Sequence, residues 1–217
     1  MIVAIDGPAG AGKSTVAEAL ARRHGLQLVD TGAMYRAVAY EADEAGVELG
    51  DPEAVAEVAE SLDFEFHFVD GHNVIHCNGR ALRDEIRTAS VSRNSSIVSA
   101  HPKVRRVLVE QQRQVGRERP SVLEGRDIGT VVFPDADLKV YITASPEERA
   151  RRRVEQMRDQ GQEADFDEVL SEIEDRDRRD MERDVAPLKK ADDAVEIVTD
   201  EMSVDEVVEE VAEQLPN

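Results

Sequence analysis

Eight residues near the start of the chain, Gly7-Pro8-Ala9-Gly10-Ala11-Gly12-Lys13-Ser14, constrain its fold more than any other stretch. They follow an apolar run, Ile2 to Ile5, that reads as a buried strand, and they precede a helical pattern in which Val16, Leu20 and Ala21 share one face. In that setting G-x-x-x-x-G-K-[ST] is an anion cradle. The glycines let successive backbone N–H groups point inward and the helix start adds positive potential, while Lys13 can reach the outer phosphates of a nucleoside triphosphate and Ser14 can ligate Mg²⁺. Gly7 through Ser14, with the further hydroxyl of Thr15, are thus candidate ATP ligands, and Ser14 is the candidate metal ligand.

The periodicities that follow extend this start into an α/β fold. Gln27-Leu28-Val29 reads as a second buried strand, and Asp30-Thr31-Gly32 leads into a helix carrying Met34, Val38 and Ala42. Strand-helix-strand-helix implies a parallel sheet with helices on its faces. A helix is expected from Pro52 to Glu60. The period then drops to two, with Leu62, Phe64, Phe66 and Phe68 alternating with Asp63, Glu65 and His67. Turns at Asp70-Gly71 and Asn78-Gly79 bracket a returning strand, Asn73 to Cys77, before Arg80-Ala81-Leu82, so a small antiparallel β-meander is inserted here. Helical pieces from Asp84 through Ser96 and a long helix from Pro102 follow. Ser121 to Glu124 and Leu138 to Ile142 are further buried strands, separated by Gly125-Arg126-Asp127 and a loop holding Phe133-Pro134-Asp135. Ser145-Pro146-Glu147-Glu148 opens a helix by capping, a tolerated proline and acids at the positive end of the dipole. A second charged helix is expected from Phe166 to about Arg183, then a strand from Ala194 to Val198 and an amphipathic helix from Ser203.

A phosphate cradle does not say which reaction follows, so a second site has to decide. Asp30-Thr31-Gly32-Ala33-Met34-Tyr35-Arg36 lies at the end of the second strand, where open parallel sheets bind ligands. Thr31 can hydrogen-bond or cap a helix there, and Arg36 can fork a phosphate. Glu124-Gly125-Arg126-Asp127 ends a strand at the same edge: Gly125 permits close approach, Arg126 offers a guanidinium, and Asp127 can accept from a substrate amine or orient a metal-bound water. Arg152, Arg176, Arg179 and Arg183 have the look of a lid that brings positive charge onto a migrating phosphoryl group and excludes water. A helix pair at 147–187 would carry them.

Taken in succession, Gly7 to Thr15, Asp30 to Arg36, Gly125-Arg126-Asp127-Ile128-Gly129-Thr130-Val131-Val132-Phe133-Pro134, and Asp177-Arg178-Arg179-Asp180 with Ala186-Pro187-Leu188 resemble the bacterial cytidylate kinase family over nearly the whole chain. The inserted meander is similar to the enlarged monophosphate-binding region of the long bacterial form. This resemblance implies a single P-loop kinase domain over 1–217, a three-layer α/β/α fold with a central parallel sheet, a monophosphate-binding region at 31–100 holding the β insertion, and the helical lid at 147–187. It implies transfer of the γ-phosphoryl group of ATP to CMP or dCMP with Mg²⁺. It also implies that Thr31, Tyr35, Arg36 and Arg126 surround the acceptor phosphate, that Ser96, Arg105 and Asp127 read the cytosine, and that Arg176, Asp180 and Arg183 reach the ribose and phosphates. Lys13, Arg126, Asp127 and Arg183 are the residues expected to carry the transfer, and Arg152 is expected beside the ATP. The chain departs from the common pattern at Glu124, where aspartate is usual, and at Thr31, where serine is usual. A kinase for UMP, AMP or a hydroxy-acid is the neighbouring alternative. A GTP switch would want an Asn-Lys-x-Asp guanine reader, and no asparagine here precedes a lysine.

Composition narrows the setting. With 47 acidic and 27 basic residues the formal charge is −20, which disfavours nucleic acid as a partner. The apolar runs are far shorter than the roughly 20 residues of a membrane span. The first strand leaves no room for a signal peptide, and Cys77 stands alone, so a soluble cytoplasmic protein is expected, acting as a monomer. Cys77 itself reads as a small buried side chain. Only Lys13, Lys103, Lys139, Lys189 and Lys190 are lysines, and beyond Lys190 the basic residues cease while Asp192, Asp193, Glu196 and seven more acids follow. A lysine-poor acidic surface repels itself until salt screens it. The melting temperature is therefore expected to rise from dilute buffer to molar KCl. A flat or falling melting temperature would refute adaptation to salt.

Overall fold

In the computed structural model, which describes residues 1–69, 72–159 and 161–216, five parallel strands form the central sheet in the order β2-β6-β1-β7-β8. These are β1 (Ile2–Asp6), β2 (Gln27–Asp30), β6 (Ser121–Gly125), β7 (Leu138–Thr143) and β8 (Val195–Val198). A second sheet of three antiparallel strands joins β3 (Phe64–Val69), β4 (His72–Cys77) and β5 (Arg80–Leu82). The helices are α1 (Lys13–His24), α2 (Thr31–Glu44), α3 (Pro52–Ser61), α4 (Ala89–Val98), α5 (Pro102–Arg117), α6 (Pro146–Asp159), α7 (Phe166–Glu182) and α8 (Val204–Glu213).

Alternation along the strands divides the core in two. Val3 and Ile5 of β1, with Val122, Val140 and Ile142, pack against Val16, Leu20 and Ala21 of α1 and Val207, Val208 and Val211 of α8. Ala4 and Leu123 point the other way, onto Met34, Val38, Val104 and Leu108 of the α2 and α5 layer. A sheet covered on both faces explains why its strands read as continuous apolar runs. The meander belongs to the second of these clusters through Phe64, Phe66, Ile75, Cys77 and Leu82. Helices α6 and α7 share a small core of their own, Ala150, Val154, Val169 and Ile173.

Most expected elements are present within a residue or two, and the caps are those the sequence offers. Asp51 and Asp165 accept from the first N–H groups of α3 and α7, and Ser203 forms a capping box with Glu206. Asn78 and Gly79 both take positive φ (50° and 76°), as a two-residue hairpin turn requires. The turn expected at Asp70-Gly71 lies outside the described residues. Phe68 departs from its alternation and is 43% exposed, because the end of the hairpin runs past the core that covers Phe64 and Phe66. A second departure is larger. The segment read as a loop after Asp127 begins with a π-helical turn, Ile128–Val132, closed by Val132 N–H to Asp127 C=O at 3.2 Å and Phe133 N–H to Ile128 C=O at 2.7 Å. Among the described residues no helix is long and apolar enough to cross a membrane.

Candidate active site

The C-terminal ends of β1, β2 and β6 open onto one cavity of about 640 Å³. On the β1 side stands the glycine-rich loop, whose Ala9, Gly10, Lys13 and Ser14 line it. Gly7, Gly10 and Gly12 all have positive φ, and a Cβ on Gly7 would stand 1.9 Å from the Ile142 carbonyl oxygen, so only glycine fits at that close approach. Lys13 is buried and donates from Nζ to the Pro8 carbonyl at 2.7 Å. Ser14 donates from Oγ to Glu124 Oε2 at 2.8 Å, which joins the loop to the end of β6.

On the β2 and β6 side, Asp30 rather than Thr31 caps α2, accepting from Ala33 N–H at 2.8 Å and from Arg36 Nη2 at 2.9 Å. Thr31 is freed to donate to the Glu124 carbonyl at 2.7 Å, so β2 and β6 are tied where both end. Arg105, from the buried face of α5, forms an ion pair with Asp127, and both side chains are nearly excluded from water. Its guanidinium carbon also lies 5.7 Å from the centre of the Tyr35 ring. Arg126 donates from Nε to Asp180 at 3.0 Å, and Arg183 Nη2 stands 3.8 Å from Asp127, so α7 and its following residue reach across the cavity.

Arg149 ties helices α6 and α7 to the loop. Arg149 donates to Ala144 C=O at 2.9 Å, to Ala9 C=O at 3.1 Å and to Asp177 at 2.6 Å.

The site holds more positive charge than its own groups settle. Burial pushes Lys13 down to about 7, with repulsion from Arg126 adding to the fall and Glu124 opposing it. Arg176 is lowered to about 10, again by burial first and Arg126 second. Burial pushes Glu124 up to about 7, with Asp30 adding to the rise. Arg36 Nε, Arg176 Nε and Arg183 Nη2 are buried without a hydrogen-bond partner. Buried donors without partners are rare, and these three belong to residues that line one cavity.

Residues 3–217 match the cytidylate kinase family. The chain belongs to that family. It is 49% identical over 213 residues to a cytidylate kinase of Pseudomonas aeruginosa, covering 97% of this chain and 93% of that protein. A cytidylate kinase of Clostridioides difficile is 42% identical over 215 residues, covering 99% and 98%. A bifunctional pantoate ligase/cytidylate kinase of Synechococcus sp. is 49% identical over 210 residues, and there this chain spans only 43% of the relative's length. Among solved structures, a shikimate kinase from Bacteroides thetaiotaomicron superposes with a TM-score of 0.51 at 14% identity, covering 98% of this chain and 97% of that one, a likeness of fold.

Of the residues singled out from the sequence of this family member, Thr31, Tyr35, Arg36, Ser96, Arg105, Gly125, Arg126, Asp127, Arg176, Asp180 and Arg183 all line the cavity with Lys13 and Ser14. Gly7, Pro8, Ala11, Gly12 and Thr15 shape the loop without lining it. Arg152 is not part of the wall: its guanidinium donates to Glu148 at 3.1 Å and to Thr199 Oγ1 at 3.0 Å, although it lies 4.0 Å from where a Gly12 Cβ would stand. Glu124 and Arg149 contribute contacts that local patterns do not signal, since their partners lie 110 and 140 residues away.

Gly125 sits at a tight point on the β2 and β6 side of the cavity. A Cβ there would stand 2.7 Å from Ile128 Cδ1 and 2.8 Å from Thr31 Oγ1. Gly125→Ala is therefore expected to lower stability by about 1–3 kcal/mol in urea unfolding, the usual cost of overpacking. An unchanged midpoint would mean that the β2–β6 junction is looser than its contacts indicate.

Proposed function

We propose that this chain transfers the γ-phosphoryl group of ATP to CMP or dCMP, giving ADP and CDP or dCDP. The observation that carries the reading is the shared cavity. A phosphate loop with Lys13 faces the buried Arg105–Asp127 pair across a wall of guanidinium groups, with room for a donor and an acceptor nucleotide end to end. The glycine loop and Lys13 hold the triphosphate. Thr31, Tyr35, Arg36 and Arg126 grip the acceptor phosphate, and Arg176, Asp180 and Arg183 come from the α6–α7 lid to the ribose and the migrating group. Arg152, beside the loop, steadies the donor.

The attacking atom is an oxygen of the acceptor phosphate, already ionised, so no strong general base is needed. It bonds to the γ-phosphorus as the bond from that phosphorus to the β–γ bridging oxygen breaks. Lys13, Arg126 and Arg183 offset the charge on the transferring group, and closure of the lid excludes water. Mg²⁺ suits the pair of hard oxygens at Ser14 and Glu124, 2.8 Å apart. Among the described residues no cluster of three or more His, Cys, Asp or Glu side chains could hold a metal. An Mg²⁺ ion held by Ser14 and Glu124 would fill the rest of its shell with water and phosphate. When bound, it neutralises charge on the β- and γ-oxygens. All these side chains come from one chain, so the reading needs no more than a monomer.

Base choice tests the reading. Cytosine presents an amine donor where uracil presents an acceptor, and Asp127, paired with Arg105 on the cavity wall that also holds Ser96, would accept from that amine. A mismatch that strands a buried polar group costs roughly 1–3 kcal/mol. In a panel of nucleoside monophosphates with ATP and Mg²⁺, CMP should exceed UMP by about tenfold or more in kcat/KM. Asp127→Ala should slow CMP and shrink that ratio. Equal use of both bases, or a ratio untouched by the substitution, would show that the base is read elsewhere.

A further inference from the structure

Asp6 takes no part in the reaction as proposed, yet it is buried where the two halves of the site meet. It is the last residue of β1, and Gly7 of the phosphate loop follows it directly. Its side chain is only 5% exposed. Oδ1 accepts from Ile128 N–H at 2.8 Å and Oδ2 from Gly129 N–H at 2.7 Å, so one carboxylate clamps two successive amides of the π-helical turn. Asp127 is the residue immediately before those amides, and its carbonyl closes the turn by accepting from Val131 and Val132.

The far end of the turn is held by the opposite charge. Arg113 of α5 donates from Nε to Val132 C=O and from Nη2 to Val131 C=O, both at 2.9 Å, and Lys139 donates to Pro134 C=O at 2.6 Å. An anion on the free N–H groups and cations on the free carbonyls is the arrangement a helical dipole favours. Space around the clamp is closed, since a Cβ on Gly129 would lie 3.1 Å from Lys139 Cδ and 3.5 Å from Asp6 Oδ2.

We propose that Asp6 is a positioning residue that fixes where Arg126 and Asp127 stand relative to the phosphate loop, and thereby how tightly the acceptor nucleotide is held. This rests on reading the cavity as a nucleoside monophosphate site. Burial pushes the Asp6 carboxyl up to about 6; the two backbone N–H groups and Lys13 oppose the rise, and Asp127 adds to it. Keeping it ionised at neutral pH costs stability, which fits a group placed for geometry and not for the strength of the fold.

The test uses the full chain. Asp6→Asn keeps the size but turns one acceptor into an amide NH₂ donor that faces a backbone N–H, so one clamp is lost. KM for CMP should rise about tenfold and the CMP:UMP ratio should shrink, because a buried donor is left unpaired. Affinity for ATP with Mg²⁺, measured by calorimetry without acceptor, should fall by clearly less than KM for CMP rises, since Asp6 acts on Lys13 of the loop only through charge. Arg113→Met, which releases the other end of the same turn, should show the same pattern more weakly. Normal CMP kinetics in Asp6→Asn, or a loss of ATP affinity equal to the loss for CMP, overturns the proposal. If Asp6→Asn gives no cooperative melt, Arg113→Met decides, and an unchanged KM and ratio overturn it. If the unmodified enzyme prefers another monophosphate, the proposed base choice fails instead, and KM for the monophosphate it does use carries the Asp6 test unaltered.

Discussion

Lys13, Arg36, Arg126, Arg176 and Arg183 face one cavity, and like charges at such range repel more strongly as water is excluded. Two features of the free protein stand beside that repulsion. Burial, with Arg126 adding to it, pushes Lys13 and Arg176 toward losing their protons, and buried guanidinium nitrogens of Arg36 and Arg176 lack hydrogen-bond partners. Interiors rarely tolerate either. Both make sense if the missing partners are phosphate oxygens, because electrostatic catalysis needs donors that are already in place when charge moves.

Holding that charge in place is the work of carboxylates and backbone carbonyls drawn from distant parts of the chain. Asp180 takes Arg126, Asp30 takes Arg36, and Asp127 takes Arg105. Arg149 fastens the α6–α7 pair to the phosphate loop through Ala9, and to itself through Asp177. Those two helices share a small core of their own.

Much of this was legible in the sequence wherever the cause was local. The glycine loop could be read because strand, loop and helix are adjacent and each glycine has its own backbone reason. The meander could be read because Asn78-Gly79 fits one turn type and Phe64 and Phe66 alternate on one face. Ser96 and Arg105 came instead from the family resemblance, since nothing about either in isolation marks it. What stayed hidden depends on partners far along the chain. The turn at Ile128–Val132 looks like a loop because the groups that hold it, Asp6 and Arg113, lie in β1 and α5. The sequence leaves Thr31 between a hydrogen-bonding role and a helix cap, and only the approach of Glu124 shows that Asp30 takes the cap. Arg152 reads with the other lid arginines, and its ties to Glu148 and Thr199 appear only when β7, α6 and the end of β8 are brought together.

If phosphate oxygens are the missing partners, their arrival must return to Lys13 the proton that burial and Arg126 push off. Calorimetry of ATP with Mg²⁺ at pH 8, repeated in buffers of differing ionisation enthalpy, measures that proton directly. A free Lys13 near 7 is mostly neutral at that pH and a phosphate-bound one is charged, so binding should take up close to one proton, and Lys13→Met should abolish the uptake. Binding with no net proton uptake by the unmodified protein would contradict the account.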